Sequence, residues 1–582
     1  MWRRAGATLW LAWLGACGGD AGDAVTPEPT SWFADIAPLI GRHCLPCHAD
    51  GGIGPLRLDT LQDVRAAAPL VLGVIASGQM PPWMPADDCH PLAAVRQVDA
   101  AEEGVLRAWV ADGMPAGDPA DAPAAPGDGH DVPFAATERW AVSKGYVPTA
   151  PTGGDDYHCF VLDREFDSET WVTGTRVEPD DGAGVGSGQV HHVLVYAIEP
   201  AQLAEMQARD DAHPGRGYPC FAQPVSTGFA GQDAFIEYLA GGELPNFDFP
   251  ILLGAWVPGV AARVLPAGTA YRVPRGSKLV VQIHFSPRGA AVPDDTHLSL
   301  ITTTTLPTSL LRTRPVAILD LDIPAGDPAV VASRAFPYHG AKPLEIVGVM
   351  GHMHLLGTAL VADVMRGADE ASACLLDIPR WDFHWQESYR FLPDDPVMLA
   401  PGDALQLTCS YDNSAEHQVP GHDGSKPAPR HVTWGEGTRD EMCLFYYTTA
   451  HPFTPTDVAP ATACAPAADC IARCADNGRP AASLDCLLAC NDASVACQLC
   501  GVRAALQCSQ FECLGTLSNA SDCLVTCLEA SLMLGTNLGR CLQAECTGAY
   551  ADALRCLDPQ LPEAACRERF EPCGIAFPDI AP

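Results

Sequence analysis

The chain has 582 residues, with 71 Asp and Glu against 35 Lys and Arg, for a formal net charge of −36. That length is too great for one compact core and predicts several domains. The charge excludes the basic footprint that nucleic-acid binding needs, and the basic patch that docks a protein on an anionic bilayer. The 25 cysteines fit an oxidising compartment, and sixteen of them fall after residue 460, which marks a boundary.

The chain opens "MWRRAGATLWLAWLGACGGD". Arg3 and Arg4 form a charged segment, and Ala5 to Leu14 a short apolar one. The apolar run is shorter than the ~18 residues that span a bilayer. "LGAC" resembles a bacterial lipoprotein cleavage box with Cys17 as the lipidated residue. Residues 1–17 are therefore expected to be a signal peptide. The mature protein is expected in the cell envelope, at the outer membrane or cell surface, touching the membrane by its lipid anchor only. The alternative is a secreted or periplasmic protein cleaved nearby.

"HCLPCH" sets Cys44, Cys47 and His48 in the C-x-x-C-H pattern. Two thiols at this spacing add to the vinyl groups of a haem while the next imidazole ligates the iron. A zinc site would want two more ligands close by, and a thioredoxin-like pair a βαβ setting. For the sixth ligand, "SGQMPPWMPADDCH" offers Met80, Met84 and His90. Met80 is preferred, because "MPPW" after such a motif resembles a distal loop of small bacterial cytochromes. The flanking stretches "SWFADIAPLIGRHC" and "EEGVLRAWVADGMPAG" read as amphipathic helices. Residues 30–118 are thus expected to be a small all-α, cytochrome c-like domain carrying one haem c. Residues 119–133, rich in Pro, Ala, Gly and Asp, read as a linker.

From residue 134 the texture becomes all-β: "HHVLVYAIEP", "SKLVVQIHFSP" and "ALQLTCSYDN" alternate between Pro, Gly and Asp breaks. The span predicts two jelly-roll-type sandwiches, 134–305 and 306–455. Candidate metal ligands sit on these runs: His191 and His192, His284, His352 and His354 in "GHMHLLG", and Met442 in "DEMC". If "GHMHLLG" is a strand, His352 and His354 share one face and Met353 takes the other. Adjacent His191 and His192 would need a twist or bulge to aim at one metal. Singly, each is more often a structural histidine or a core methionine.

Together, and in this order, the four motifs resemble the ligand set of the copper type II, ascorbate-dependent monooxygenases. That family includes peptidylglycine alpha-hydroxylating monooxygenase and dopamine beta-hydroxylase. The resemblance covers roughly residues 150 to 450. It implies two unlike coppers: an electron-storing ion on His191, His192 and His284, and a catalytic, dioxygen-meeting ion on His352, His354 and Met442. It also implies ascorbate as reductant, and disulfides Cys409–Cys443 and Cys159–Cys220. Cys89 and Cys374 have no evident mates; pairing the two across domains is a guess that the sequence leaves open. Trp256 and Pro258 in "GAWVPG" fall where the family has a Trp-containing strand.

The chain departs from the peptide-hydroxylating members at the substrate pocket. Met350 stands where they have an arginine, and Leu444 where they have an asparagine, while Tyr446 matches their tyrosine. A neutral or aromatic small molecule is the expected substrate rather than a peptide C-terminus.

The tail, 464–582, holds C-x-x-x-C pairs at Cys470/Cys474, Cys486/Cys490 and Cys523/Cys527, and a 33-residue repeat beginning at Cys508 and Cys541. Cysteines four apart share a helix face, so a disulfide-rich α-helical domain is expected, ahead of an all-thiolate zinc array.

The function expected is therefore an exported copper monooxygenase acting on a small organic substrate with dioxygen. Its electrons would come from ascorbate, from a periplasmic donor, or through the fused haem. The alternative is a non-enzymatic cell-surface protein that binds copper and haem for electron transfer or copper storage. An adhesin-like scaffold whose tail does the work is a third reading.

Overall fold

The computed structural model describes most of residues 30–122, 134–225 and 249–453, with short gaps, and parts of 488–552. Cys17, Pro258, and Cys470, Cys474 and Cys486 of the tail lie outside the described residues.

Residues 30–118 form a small helical unit. A π-helical turn, Trp32–Ile36, runs into helix Ala37–His43, then the short helix Leu45–His48. Helices Leu61–Ala76 and Ala100–Ala111 follow, each opened by a capping box, Thr60 with Asp63 and Asp99 with Glu102. Their apolar faces meet in one core of Trp32, Ile36, Leu39, Ile40, Val64, Val71, Leu106 and Trp109. The Pro115 carbonyl accepts from the indole of Trp109 at 2.9 Å and from the Trp32 backbone N–H at 3.0 Å, and the second bond ties the end of the unit to its beginning.

The β region is built on one ten-stranded sheet that belongs to both halves. Its path is Glu138–Ala141, His297–Thr303, Thr170–Glu178, Thr269–Val273, Ser309–Ala317, Leu444–Pro452, Leu344–His352 and Tyr389–Arg390, and off it Arg263–Val264 pairs with Thr170–Glu178 and Val397–Leu399 with Leu344–His352. The halves join where Ser309–Leu311 pairs in parallel with Thr269–Tyr271. A five-stranded sheet, with Lys278–Phe285 at its centre, covers the first half, and a four-stranded sheet covers the second. Each sandwich buries its own core.

Lys278–Phe285 reads as alternating in sequence, yet every residue after Lys278 is buried. A second small core explains this. Helix Leu203–Asp211 and the Cys220 segment cap the outer face of that sheet through Met206, Tyr218 and Val225 against Tyr196 and Val280. The disulfide Cys159–Cys220 fastens the cap, and Cys409–Cys443 staples the second sandwich.

In the tail, helix Ser521–Leu534 is stapled to helix Leu538–Glu545 by Cys523–Cys546 and Cys527–Cys541. The first of these helices lies on the second sandwich: Tyr447 donates its hydroxyl proton to the Met533 carbonyl, and Arg334 grips both oxygens of Glu529. Among the described residues, no helix is long and apolar enough to cross a membrane.

Candidate metal centres

His191 and His192 lie on strand Val190–Ile198, and His284 on its neighbour. Val190 pairs with Phe285 and His192 with His284, so His191 is the extra residue of a bulge. The bulge turns two consecutive imidazoles to one point, which a regular pleat cannot do. The ligand atoms of His191, His192 and His284 all lie within 4.8 Å of one another. Nδ1 of His192 is 3.2 Å from Nδ1 of His191 and 3.4 Å from Nδ1 of His284.

Asp155 fixes the state of this cluster. Nε2 of His284 donates to its carboxylate at 2.9 Å, which leaves the lone pair on Nδ1, facing the other two rings. Burial pushes the Asp155 carboxyl up, but the hydrogen bond and charge of His284 outweigh it and hold the group below the usual range. Tyr157 stacks on the far face of His284, centroids 4.0 Å apart, and locks the ring plane.

The second cluster forms differently from the sequence expectation. The strand Leu344–His352 ends at His352, so His354 lies in the loop beyond it and not on a continued strand. The reason is Glu441, fully buried, whose carboxylate accepts from the backbone N–H groups of His354 at 2.9 Å, Leu356 at 2.6 Å and Met442 at 3.2 Å. These groups would otherwise seek a ladder partner. Met353 still turns away, fully buried in the core. Burial pushes the Glu441 carboxyl up to about 8, against the pull of those same backbone donors.

His352 donates from Nδ1 to Oε1 of Gln386 at 2.5 Å, and His354 from Nδ1 to the Asp440 carbonyl at 3.1 Å. Both Nε2 atoms therefore carry lone pairs, and they face each other at 3.3 Å. Two lone pairs at that distance repel unless a cation lies between them. Burial first, then neighbouring imidazoles, lowers His352 to about 3 and His354 to about 4, and holds His192 well below its usual value. The neutral imidazole is the form that binds metal.

Met442 is buried just before strand Leu444–Pro452, and its neighbour Cys443 anchors that strand through the disulfide to Cys409. His192, His352, His354 and Met442 line one cavity of about 370 Å³ between the two sandwiches. Met350, Leu444, Tyr446 and Trp256 line it too. Arg209 also reaches it, paired with Glu205 at 2.9 Å.

Residues 323–465 match the family model for the copper type II ascorbate-dependent monooxygenase, C-terminal domain. The match supports that family, and with it a copper-using oxidoreductase. It covers the second sandwich from residue 323 onward, with His352, His354 and Met442 inside it. No curated protein matches. Among solved structures, the major capsid protein P2 from bacteriophage PM2 aligns with a TM-score of 0.22 at 10% identity, over 55% of this chain and 99% of that one. The VP2 subviral particle of infectious bursal disease virus aligns at 0.14 and 8% identity, over 55% and 73%. Scores this low carry no argument.

In the helical unit, neither Cys44 nor Cys47 is joined in a disulfide. Burial, then the neighbouring Cys47, pushes Cys44 up to about 12. His48 donates from Nδ1 to the Leu56 carbonyl at 2.6 Å, which leaves Nε2 for an iron. A Cβ at Gly54 would stand 2.5 Å from that ring, so only glycine fits against it. These residues fit a covalent haem. Of the three distal choices, Met84 accepts at Sδ from the Asp382 N–H at 3.2 Å, and His90 lies 2.7 Å through Nε2 from the Asp395 carbonyl. Met80 is 37% exposed.

Sequence reasoning missed Asp155, Gln386, Glu441 and Phe383. Glu441 directly precedes Met442 in the quoted "DEMC", where a carboxylate next to a metal ligand is a usable signal, whereas Asp155 adjoins no candidate ligand in sequence. Gln386 and Phe383 reach the sites only through the fold and gave no such signal.

Proposed function

We propose that the chain is an exported monooxygenase that holds two coppers and one haem c and hydroxylates a C–H bond of a small organic substrate with dioxygen. The observation that carries this reading is the pair of facing lone pairs on His352 and His354, with the Met442 thioether on the same cavity wall. Two imidazoles and a soft sulfur suit cuprous copper, the state that binds oxygen, while the three-histidine cluster suits both oxidation states. Bound there, copper would supply one-electron chemistry and a binding point for dioxygen.

The chain's own residues do the rest. Gln386 and the Asp440 carbonyl hold both imidazoles in the ligating tautomer, and Asp155 does so for His284. Met350, Leu444 and Trp256 give the wall near His352 an apolar surface. That wall favours a neutral or aromatic substrate, with Tyr446 as its polar contact. Ascorbate is the reductant the family implies. Cys44, Cys47, His48 and Met80 would hold the haem that relays electrons, fed by ascorbate or a periplasmic donor. Cys17 would anchor the protein at the outer membrane or cell surface.

The test is the copper-to-haem ratio of export-matured protein, followed by oxygen uptake with ascorbate and candidate substrates. Two coppers per haem with substrate-dependent uptake is expected. One copper or none after loading would overturn the reading. Full metal loading without oxygen-dependent hydroxylation would favour an electron-transfer or copper-binding protein instead.

A further inference from the structure

One segment of the second sandwich touches the haem-motif unit and both histidine clusters. Arg380 donates from Nη2 to the Gly78 carbonyl at 2.7 Å. Trp381 donates its indole N–H to the His354 carbonyl at 3.2 Å. The Asp382 N–H meets the Met84 sulfur at 3.2 Å. Phe383 stacks on His191, with centroids 4.8 Å apart and planes 19° apart, and stands edge-on to His354 at 6.1 Å. Gln386 accepts from His352 and donates to the Phe383 carbonyl.

The helical unit is fixed against this segment. Cys89 and Cys374 are disulfide-bonded across 285 residues. The Ala86 N–H donates to the Asp377 carbonyl, and Trp83 packs edge-on to Tyr389 with centroids 5.4 Å apart. Met84 is part of the second sandwich's buried core, and Cys47, one of the two haem-attachment thiols, packs against it.

We propose that Trp381, Asp382, Phe383 and Gln386 form the electron bridge of this chain, joining the C-x-x-C-H unit to both histidine clusters, with Phe383 as the aromatic link between His191 and His354. The proposal rests on the haem-and-copper reading above. Electron tunnelling falls off steeply with the empty gap it must cross, and stacked rings and hydrogen bonds shorten that gap. Each event moves one electron: ferrous haem becomes ferric as one cupric ion becomes cuprous. No bond to the protein forms or breaks, and a one-electron donor of the ascorbate class restores the haem. A docked, covalently fastened donor delivers electrons at a rate independent of protein concentration.

The experiment photoreduces the haem in anaerobic, cupric holoprotein. It follows haem reoxidation by absorbance and loss of the cupric paramagnetic signal in freeze-quenched samples. Phe383→Leu is expected to slow transfer by about tenfold or more, while Phe383→Tyr, which keeps the ring, stays within about twofold of the parent. Copper content and the resting cupric spectrum should not change in either. Trp381→Phe, which removes the donor to the His354 carbonyl, is the second probe and is also expected to slow transfer. It decides the matter if Phe383→Leu loses copper. Parent-like rates in Phe383→Leu and Trp381→Phe would overturn the bridge. A parent protein with both metals bound whose haem does not reoxidise would overturn it too, leaving the copper site reading intact. Failure to bind copper would overturn both, and metal analysis tells these cases apart.

Discussion

Asp155→Asn changes one atom outside the first histidine cluster, and its effect can be worked out. The carboxylate holds Nε2 of His284 at 2.9 Å, and the His284 ring is fully buried. An ion on the Nδ1 side would stand on the order of 6–7 Å from the carboxylate oxygen, across the ring. One unit charge at that distance is worth about 2.5 kcal/mol at an effective dielectric of ~20. Asp155 keeps 22% side-chain exposure, which trims the interaction to roughly 1–2 kcal/mol. Cupric copper carries one charge more than cuprous, so the loss falls harder on the oxidised ion. For its two charges the loss is about 2–4 kcal/mol, so affinity for cupric copper should drop roughly 30–700-fold at this site, and its potential should rise by several tens of mV, about 60 mV per tenfold of difference between the two ions. Chelator-competition titration in both oxidation states, with a redox titration of the cupric signal, measures it. The His352, His354 and Met442 site should keep its affinity. An unchanged first site, or an equal loss at both, would refute the assignment of Asp155 as the orienting partner of a metal-bound His284.

Three further outcomes are expected. Glu441→Gln places an amide N–H₂ against backbone N–H donors, so the metal-free protein should lose about 1–3 kcal/mol in denaturant unfolding. Asp156 is buried, and although burial raises its carboxyl, hydrogen bonds from His158, Tyr146 and Thr149 hold it down at about 2. Its folded value is below its unfolded one, so its contribution is full above about pH 4 and is lost as pH falls towards 2. Asp156→Asn should cost about 2 kcal/mol at pH 7, with the gap to the parent closing across that window in pH-dependent unfolding. Cys89→Ser with Cys374→Ser should cost about 2–4 kcal/mol and let limited proteolysis release the helical unit, which the parent resists.

That His191, His192 and His284 converge, and that His352 and His354 face each other, was legible because metal chemistry demands few side-chain types at short spacing. The need for a bulge at His191 was also legible, since two neighbours on a pleat face opposite ways. The end of the strand at His352 was not. It depends on a buried carboxylate from Glu441, 87 residues away from His354. The contact of Phe383 with His191 was equally hidden, because it depends on how one sandwich sits on the other. Local pattern carries no information about that registry. The burial of both faces of Lys278–Phe285 needed the capping helix, which the alternating pattern did not announce.

The sheet that runs through both sandwiches has a mechanical consequence. Ser309–Leu311 and Thr269–Tyr271 hydrogen-bond across the junction, and Arg263 and Arg390 donate across it to the carbonyls of Ser388 and Val264. Opening the cleft would break a backbone ladder along with side-chain contacts. The two histidine clusters are thereby set in a stiff frame, with a fixed gauge between them. On the monooxygenase reading proposed above, substrate would enter an aperture already cut to size, and selectivity by size would belong to the resting protein.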